Sequence, residues 1–513
     1  MSDVLVQLAG GFASVAAPGN LLALLVGLVV GMLVAVLPGL TLVMGVVLAL
    51  PFTYGMAITP SIILLTAMYI TGTYGGAITS ILFRIPGEPM DVPLLWDGWQ
   101  MSRAGDPARA LGWTLLAALT GGLITATFMV ALGVPFAKVA LGFDTPEYFA
   151  IVLFGFTSVV ALGGGSVANA FISLFVGMLI ASVGVDEIYG VDRFTFGADM
   201  LRDGIGYLPV MVGAYGLGEV FVRLEQRFSS APVAAGARVA TRIPRLAEAW
   251  KLRGTFARGS IVGIICGIVP GAGATIASFV SYGVEAQYGP RRRELGTGIA
   301  DGIVAPQVAS TASVGGHMVP LLTLGIPGSG ATAVILGAFL LHGVQPGPQI
   351  FTTQPQLVYA VFASTFVSVI GMGLLGYFAI RPLIKVLYLP EAVVSVFVIL
   401  FCLIGAYSEH NNVTDLWMIV VFGVVGYLFE RFSFPIAPMV LGCILGPTAE
   451  NAFLTSMISY QNDWTIFFTR PVSGSVMALA ALALIFPAWR HLRRGRARDV
   501  VSDVAAPPAK AGT

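Results

Sequence analysis

Long stretches of the chain consist almost wholly of apolar residues. No Asp, Glu, Lys or Arg occurs from Val4 to Phe83 or from Gly302 to Ile380. A transmembrane helix needs about 20 consecutive apolar residues, so each stretch can hold several crossings. Such windows predict two series of membrane segments: Leu21–Leu50, Ile58–Phe83, Ala110–Leu132, Tyr148–Leu162, Val167–Val183 and Tyr207–Val222, then Gly259–Val284, Ile303–Leu324, Ala331–Leu341, Leu357–Ile380, Val393–Tyr407, Leu416–Phe429, Phe434–Leu445 and Val472–Pro487. The pattern predicts an all-α polytopic membrane protein.

Basic residues between and after the two series predict the orientation of the chain. Eight Lys or Arg residues and only three acidic residues lie from Glu219 to Arg258, and five arginines follow the last apolar run, from Arg490 to Arg498. By the positive-inside rule both stretches are cytoplasmic. The expected organisation is therefore a first membrane repeat at 1–222, a basic cytoplasmic linker at 223–258, a second membrane repeat at 259–445, a C-terminal membrane segment at 446–490 and a cytoplasmic tail at 491–513.

Composition and charge exclude several classes of protein. Hydrophobic residues make up 57% of the chain and charged residues only 10%, against about 25% charged in an average soluble protein. A formal net charge of +1 leaves no basic stripe, so nucleic-acid partners are excluded. The three cysteines and four histidines show no metal-ligand spacing, and there is no phosphate-binding loop for ATP. We expect neither an enzyme nor a cofactor, and no metal beyond a coupling ion such as sodium.

Four short motifs occur twice in the same order. The first set is Leu37-Pro38-Gly39, Gly75-Gly76, Ile85-Pro86-Gly87 and Asp97-Gly98, and the second is Val269-Pro270-Gly271, Gly315-Gly316, Ile326-Pro327-Gly328 and Gly337. The order is kept and the spacings differ by only a few residues. Such a pattern indicates an internal duplication.

The first motif of each set interrupts an apolar run at its centre, where a proline removes a helix hydrogen bond. Arginines lie on both sides of Gly259–Val284, so both ends are expected on the cytoplasmic side. A re-entrant hairpin explains this better than one kinked crossing. Its counterpart, Leu21–Leu50, has almost no flanking basic residues, as expected of a hairpin that opens outward. The chain is therefore predicted to hold two inverted-topology repeats with re-entrant hairpins and broken helices.

Broken helices at matching positions of two repeats mark the binding site of many transporters. The free N–H groups and positive dipole end of a half-helix can hold an anion, and orphan carbonyls and hydroxyl groups can hold a cation. This reasoning selects the glycines and hydroxyl residues at the breaks as substrate ligands: Gly39, Thr41, Gly87, Gly271, Gly273, Thr275, Gly328 and Ser329. The alternative is that Gly and Pro only permit close helix packing.

Five further residues are candidates for coupling transport to an ion, expected to be Na⁺ or H⁺: Glu88, Thr71, Thr73, Thr311 and Ser313. Glu88 follows a helix break, where an acidic group can bind a cation, but it can also be a solvated group or pair with Arg84 at the membrane edge. The hydroxyl groups have an alternative too, because most membrane hydroxyls bond to their own helix. His317 fits a proton relay less well than a neutral, hydrogen-bonded histidine.

These motifs resemble the TctA family, the large membrane subunits of tripartite tricarboxylate transporters. The most specific stretch is Gly325-Ile326-Pro327-Gly328-Ser329-Gly330-Ala331-Thr332 followed by His342-Gly343-Val344-Gln345-Pro346-Gly347-Pro348, and the resemblance extends to about Pro487. It implies a secondary importer of a tricarboxylate, dicarboxylate or aromatic acid in the bacterial inner membrane, driven by an ion gradient. It also implies two partners, a small TctB-like membrane subunit and a periplasmic TctC-like solute-binding protein. The C-terminus is expected to be cytoplasmic.

Two other classes of function remain open. A stand-alone ion-coupled carrier or a channel for small anions would also use broken helices. An intramembrane serine protease would use Ser329 with His317 or His342. The duplication argues against the protease, because the counterpart of Ser329 is Glu88.

Overall fold

The computed structural model describes residues 2–37, 40–162, 166–186, 189–225, 240–271, 273–380, 382–383, 391–410 and 413–484. Within these ranges nearly every regular element is a helix. Six helices of the described part of the chain are long and apolar enough to cross a membrane: Pro18–Val36, Ile58–Phe83, Pro107–Ala140, Pro355–Phe378, Val413–Arg431 and Ile436–Ser459. The prediction of an all-α polytopic membrane protein is confirmed.

The first half of the chain contains the helices α1 Ser2–Val15, α2 Pro18–Val36, α3 Leu42–Thr53, α4 Ile58–Phe83, α5 Leu94–Arg103, α6 Pro107–Ala140, α7 Thr145–Leu162, α8 Val167–Ala181, α9 Tyr207–Met211 and α10 Gly218–Glu225. A six-residue π-helical segment, Val212–Leu217, joins α9 to α10. Between α8 and α9 a short antiparallel hairpin pairs β1 Gly184–Val185 with β2 Asp192–Arg193.

The second half contains α11 Leu246–Lys251, α12 Arg253–Ile268, α13 Gly273–Tyr288, α14 Ala300–Leu324, α15 Gly330–Leu341, α16 Ile350–Thr353, α17 Pro355–Phe378, α18 Glu391–His410, α19 Val413–Arg431, α20 Ile436–Ser459 and α21 Ile466–Thr469. A last apolar helix, α22, covers Pro471–Leu484.

Two long helices, α4 and α14, form the centre of the molecule, and nearly all their residues are buried. Both end in the same way. Arg84 after α4 and Gly325 after α14 have left-handed backbone conformations, with φ of 59° and 72°. This is a common helix C-cap, and the proline two residues later cannot continue a helix. Each Ile-Pro-Gly motif therefore terminates a central helix inside the bundle.

The segment Gly259–Val284 forms a helical hairpin and not a kinked crossing. Near the start of α12, the Arg258 guanidinium donates to the Glu285 carboxylate near the end of α13, with Nη2 to Oε2 at 2.8 Å. The two arms are thus antiparallel and turn at the Pro270-Gly271 break. Each arm has 16 residues, or about 24 Å. That is shorter than the roughly 30 Å of a hydrocarbon core.

The helix contacts of the two halves agree in register. In each half the first arm of the broken segment lies against the central helix through glycines that leave no room for a Cβ atom. The contacts recur every four residues, as in ridges-into-grooves packing. They join Gly27 and Gly31 to Leu64 and Met68 in one half, and Gly259 and Gly263 to Ala305 and Ala309 in the other. These contacts match the duplicated motifs, while the inverted topology stays a prediction.

The predicted domain boundaries at 222, 258 and 445 stay predictions, and none of them coincides with the end of a helix. They fall within α10, α12 and α20. The reason is that these helices continue past the ends of their apolar runs into polar positions. The tail at 491–513 and most of the basic linker, residues 226–239, lie outside the described residues.

Candidate functional site

A cavity of about 400 Å³ lies where the broken segments of the two halves meet. Its polar wall residues are Tyr69, Glu88, Thr275 and Ser329, and the backbone at Gly271, Gly273 and Gly330 completes that part of the wall. Apolar side chains such as Leu42, Val159 and Leu441 form much of the remainder. None of the described residues that line it is Lys or Arg.

Five of the residues selected from the sequence lie on this wall: Glu88, Gly271, Gly273, Thr275 and Ser329. Thr41 is not on it. Its hydroxyl oxygen accepts a hydrogen bond from the Met44 N–H at 3.2 Å and caps the start of α3. Gly39 lies outside the described residues. The structure thus places four of the eight predicted substrate ligands, together with the ion-coupling candidate Glu88, around one space.

The selected glycines do different things. A Cβ atom on Gly87 would collide with the backbone of Gly76, and one on Gly328 would lie 2.5 Å from the His317 Cδ2 atom. A Cβ atom on Gly271 would lie 2.5 Å from the Val159 Cα atom. These three glycines serve close packing, the alternative considered above. Gly273 differs, because its Cβ position is open within 4 Å and its φ is +63°, so it exposes backbone toward the cavity.

Three helices begin at the cavity. The first residues of α3, α13 and α15 all line it: Leu42 and Val43, Gly273, Ala274 and Thr275, and Gly330 and Ala331. The N-terminus of a helix carries a partial positive charge and unpaired N–H groups, so it favours anions. At α3 this preference is already used, because the Leu42 N–H donates to the Glu88 carboxylate. The starts of α13 and α15 offer the same environment to a bound carboxylate.

Glu88 belongs to a pair of buried carboxylates. Glu88 is 8% exposed and Asp91 1%, and the Glu88 N–H donates to Asp91 Oδ2 at 3.0 Å. This burial argues against a solvated Glu88 at the membrane edge. Two acidic groups in an apolar site disfavour each other's ionised form, and a proton or a cation would relieve this repulsion.

The four hydroxyl candidates for ion coupling donate into their own helices. Thr71 donates to the Ala67 carbonyl, Thr73 to Ile70, Thr311 to Gln307 and Ser313 to Ser310, at distances from 2.7 to 3.1 Å. They lie away from the cavity wall. The arrangement fits the structural alternative, and their role with an ion stays a prediction.

Gln307 is a polar residue of the core that the motifs did not single out. Its side-chain amide donates to the Thr73 carbonyl at 3.0 Å and to the Thr311 hydroxyl at 3.2 Å. It therefore joins α4 to α14 through two of the coupling candidates. It is the one Gln in the uncharged run from Gly302 to Leu341, so its polar side chain could have been noticed from composition alone.

Tyr69 was also missed. Its hydroxyl group lies 2.7 Å from His317 Nδ1 and 3.0 Å from the Ser329 Oγ atom. In the sequence it is one aromatic residue in an apolar run, and its two partners are more than 240 positions away. No local pattern could indicate this contact.

A second, larger cavity of about 730 Å³ lies beside the first. Ala333 of α15 and Leu441 of α20 line the smaller cavity. Leu336 and Ile444, about one helical turn further along the same helices, line the larger one. One turn of α15 and of α20 therefore separates the two spaces.

Membrane-length helices whose broken segments meet at a cavity are the architecture expected of a polytopic membrane transport protein. The chain belongs to the tripartite tricarboxylate transporter TctA family, whose model matches residues 21–441. Such proteins are the large subunits of tripartite tricarboxylate transporters. The transporter class agrees with the expectation of a protein that is not an enzyme.

Two relatives come from Agrobacterium vitis. An uncharacterized 52.8 kDa protein in the TAR-I ttuC' 3' region is 33% identical over 510 residues, which cover 98% of this chain and 100% of that protein. An uncharacterized protein in the TAR-II ttuC' 3' region is 35% identical over 241 residues, or 47% of this chain and 100% of that protein. No solved structure matches the chain.

Proposed function

We propose that this chain is the membrane subunit that carries an organic carboxylate inward through the 400 Å³ cavity. The observation that supports this most is the meeting of the starts of α13 and α15 at one cavity, where the Gly273 backbone is exposed. A carboxylate at the starts of α13 and α15 would accept backbone N–H groups, with Thr275 and Ser329 as additional donors. Because no Lys or Arg is on the described wall, backbone dipoles must supply the attraction for the anion.

Transport through this site is coupled to an ion gradient. A substrate carboxylate would enter a space that already holds Glu88, with Asp91 behind it. Like charges in an apolar site repel strongly, so substrate binding requires a proton or Na⁺ at the acidic pair. Uptake of substrate and cation together follows from this repulsion.

The subunit works with a TctB-like small membrane subunit and a TctC-like periplasmic solute-binding protein. We place it in the bacterial inner membrane with its C-terminus in the cytoplasm. Family membership supports this assembly, and the basic residues of the linker and tail support the orientation. A stand-alone carrier or a channel would need neither partner.

The intramembrane protease is disfavoured by the surroundings of Ser329. A serine nucleophile needs a base within hydrogen-bond reach. The Ser329 hydroxyl instead contacts the Tyr69 and Thr332 hydroxyls, at 3.0 and 3.1 Å. It also accepts the Thr332 N–H and so caps α15.

The site is tested with two matched glycine substitutions on α13. Gly273→Asn places a polar side chain at the cavity wall, and Asn tolerates the left-handed backbone that this position requires. The control is Gly283→Asn, since Gly283 is on the same helix, is exposed and has open space around its Cβ position. Uptake of ¹⁴C-labelled citrate, succinate and benzoate is measured in cells that express all three subunits.

We expect Gly273→Asn to reduce uptake of the transported acid at least tenfold, a loss of about 1.4 kcal/mol or more, and Gly283→Asn to leave it near wild type. Membrane insertion and assembly with the partner subunits are checked by co-purification. If folded and assembled Gly273→Asn protein transports at the wild-type rate, the binding site lies elsewhere.

A further inference from the structure

A chain of buried side chains connects the interior of the bundle to the cavity. It starts at His317 on α14, passes through the Tyr69 hydroxyl on α4 and ends at Ser329, the N-cap of α15. His317 and Tyr69 are 0% and 2% exposed. Tyr69 and Ser329 are on the cavity wall, whereas His317 lies behind them.

The direction of the hydrogen bonds between these three side chains decides whether Ser329 presents a proton or a lone pair to the cavity. Tyr69 has one hydroxyl proton, so it donates either to His317 or to Ser329. If Tyr69 donates to His317, the Tyr69 oxygen is an acceptor that can draw the Ser329 proton away from the cavity. If His317 donates from Nδ1, Tyr69 donates to Ser329, and the Ser329 proton can point at a ligand or at Thr332 Oγ1, which lies 3.1 Å away.

The histidine provides the evidence for the second direction. Within the part of the chain that the structure describes, the buried Nε2 atom of His317 has no hydrogen-bond partner. A neutral imidazole carries its proton on one nitrogen only. Buried N–H groups without an acceptor are rarer than buried acceptors without a donor. This favours the proton on Nδ1, from which His317 would donate to the Tyr69 oxygen 2.7 Å away.

We propose that Tyr69 is a substrate-positioning residue and that His317 orients it, so that His317, Tyr69 and Ser329 act in series to present the Ser329 O–H to a carboxylate. This inference rests on the proposed function of the cavity. It also identifies which end of the cavity holds the carboxylate. Donors converge at Ser329 and the start of α15, whereas Glu88 at the start of α3 is an acceptor that repels an anion.

The first test reads the tautomer of His317 and needs no substrate. The full chain is labelled with ¹⁵N-histidine in lipid nanodiscs, and the His317 signal is identified by its loss in His317→Asn. A protonated and an unprotonated ring nitrogen resonate at well-separated ¹⁵N frequencies. We expect the proton on Nδ1. A proton on Nε2 would overturn the proposed direction.

The second test measures transport by the three-subunit system with ¹⁴C-labelled citrate, succinate and benzoate. Tyr69→Phe removes the link and keeps the ring, so we expect the half-saturation concentration of the transported acid to rise roughly fivefold, the value of one neutral hydrogen bond. The maximal rate should change less than twofold. The matched control is Tyr74→Phe on the same helix, whose buried hydroxyl has no partner among the described residues, and it should behave as wild type.

A double substitution separates this inference from the proposed function. Because Tyr69 acts through Ser329, Tyr69→Phe combined with Ser329→Ala should be no worse than Ser329→Ala alone. If Ser329→Ala weakens binding and Tyr69→Phe does not, the series of hydrogen bonds fails and the site remains. If neither weakens binding, the cavity is not the carboxylate site. If none of the three acids is transported, the tautomer of His317 still decides whether the proposed direction of the hydrogen bonds is correct.

Discussion

Asp97 provides a sharp test of how the two halves hold each other. It belongs to α5 in the first half, yet its buried carboxylate accepts the N–H groups of three residues that precede α14 in the second half: Gly296, Gly298 and Ile299, at 2.9 to 3.0 Å. The Tyr282 hydroxyl of α13 donates to it as well, at 2.9 Å. One side chain therefore holds the backbone that leads into the central helix that carries His317.

The cost of removing it follows from these bonds. A hydrogen bond to a charged group contributes about 1.5–3 kcal/mol, and three backbone N–H groups, those of the exposed Gly296 and the half-buried Gly298 and Ile299, would lose their acceptor. For Asp97→Ala we expect a loss of about 4 kcal/mol, near the upper end for single substitutions. Asp97→Asn keeps one carbonyl oxygen and should lose about 2 kcal/mol, and Tyr282→Phe, which loses one bond, about 1 kcal/mol.

The assay is thermal unfolding of the purified chain in detergent, followed by tryptophan fluorescence. The control is Asp106→Ala, because Asp106 lies in an exposed position, where it accepts the Arg109 N–H at the start of α6 and the Arg242 guanidinium. It should cost about 1 kcal/mol. The expected order of melting temperatures is wild type, then Tyr282→Phe, Asp97→Asn and Asp97→Ala. A melting temperature of Asp97→Ala equal to that of the Asp106→Ala control would refute the reasoning.

Three further predictions follow from charged groups. Arg258→Gln leaves Glu285, whose side chain is 2% exposed, without its counter-charge, so the free energy of unfolding should fall by up to about 3 kcal/mol. Glu285→Gln should lower it less, because the Arg258 side chain is 30% exposed and reaches water. A melting temperature unaffected by Arg258→Gln would contradict the buried pair. The hydrogen bond from the Tyr460 hydroxyl lowers the pKa of Asp144 in the folded protein. The ionised Asp144 therefore stabilises the fold above its unfolded pKa of about 4, and this contribution is lost as the pH falls through the lower pKa of the folded protein. Melting of Asp144→Asn against wild type from pH 7 to pH 3 should therefore differ most at pH 7, and a constant difference would exclude this linkage. Glu88→Gln should abolish the response of uptake to the driving ion gradient while substrate exchange persists, and gradient-driven accumulation by this variant would remove Glu88 from the coupling mechanism.

Features that depend on local sequence could be predicted. Pro270-Gly271 within an apolar run indicated the hairpin of α12 and α13, since a proline removes a helix hydrogen bond and the adjacent glycines do not favour a helix. The matching motifs indicated that breaks from both halves face one another, and Glu88, Gly273 and Ser329 do lie on one wall. Hydrophobic periodicity and helix-breaking residues indicate such features because they act over only a few residues of sequence.

Features that depend on distant contacts could not be predicted. The motif Asp97-Gly98 was recognised, but its acceptor role for Gly296 and Ile299 joins positions about 200 residues apart. Gly87 and Gly328 were predicted from the sequence to contact the ligand, although in the structure they pack closely against Gly76 and His317. A glycine has the same local signature in both roles, so only the packed structure distinguishes them.

Protection of a single cysteine by substrate tests the central claim most directly. Cys266, Cys402 and Cys443 are replaced by Ala, and Thr275→Cys puts a thiol on the cavity wall, with Gly283→Cys on the exposed face of the same helix as the control. In proteoliposomes that contain all three subunits, the rate of maleimide labelling is measured with and without saturating transported carboxylate. A carboxylate bound in the cavity should slow labelling at position 275 at least tenfold and leave position 283 unchanged. Equal labelling at position 275 with and without substrate would show that the carboxylate binds elsewhere.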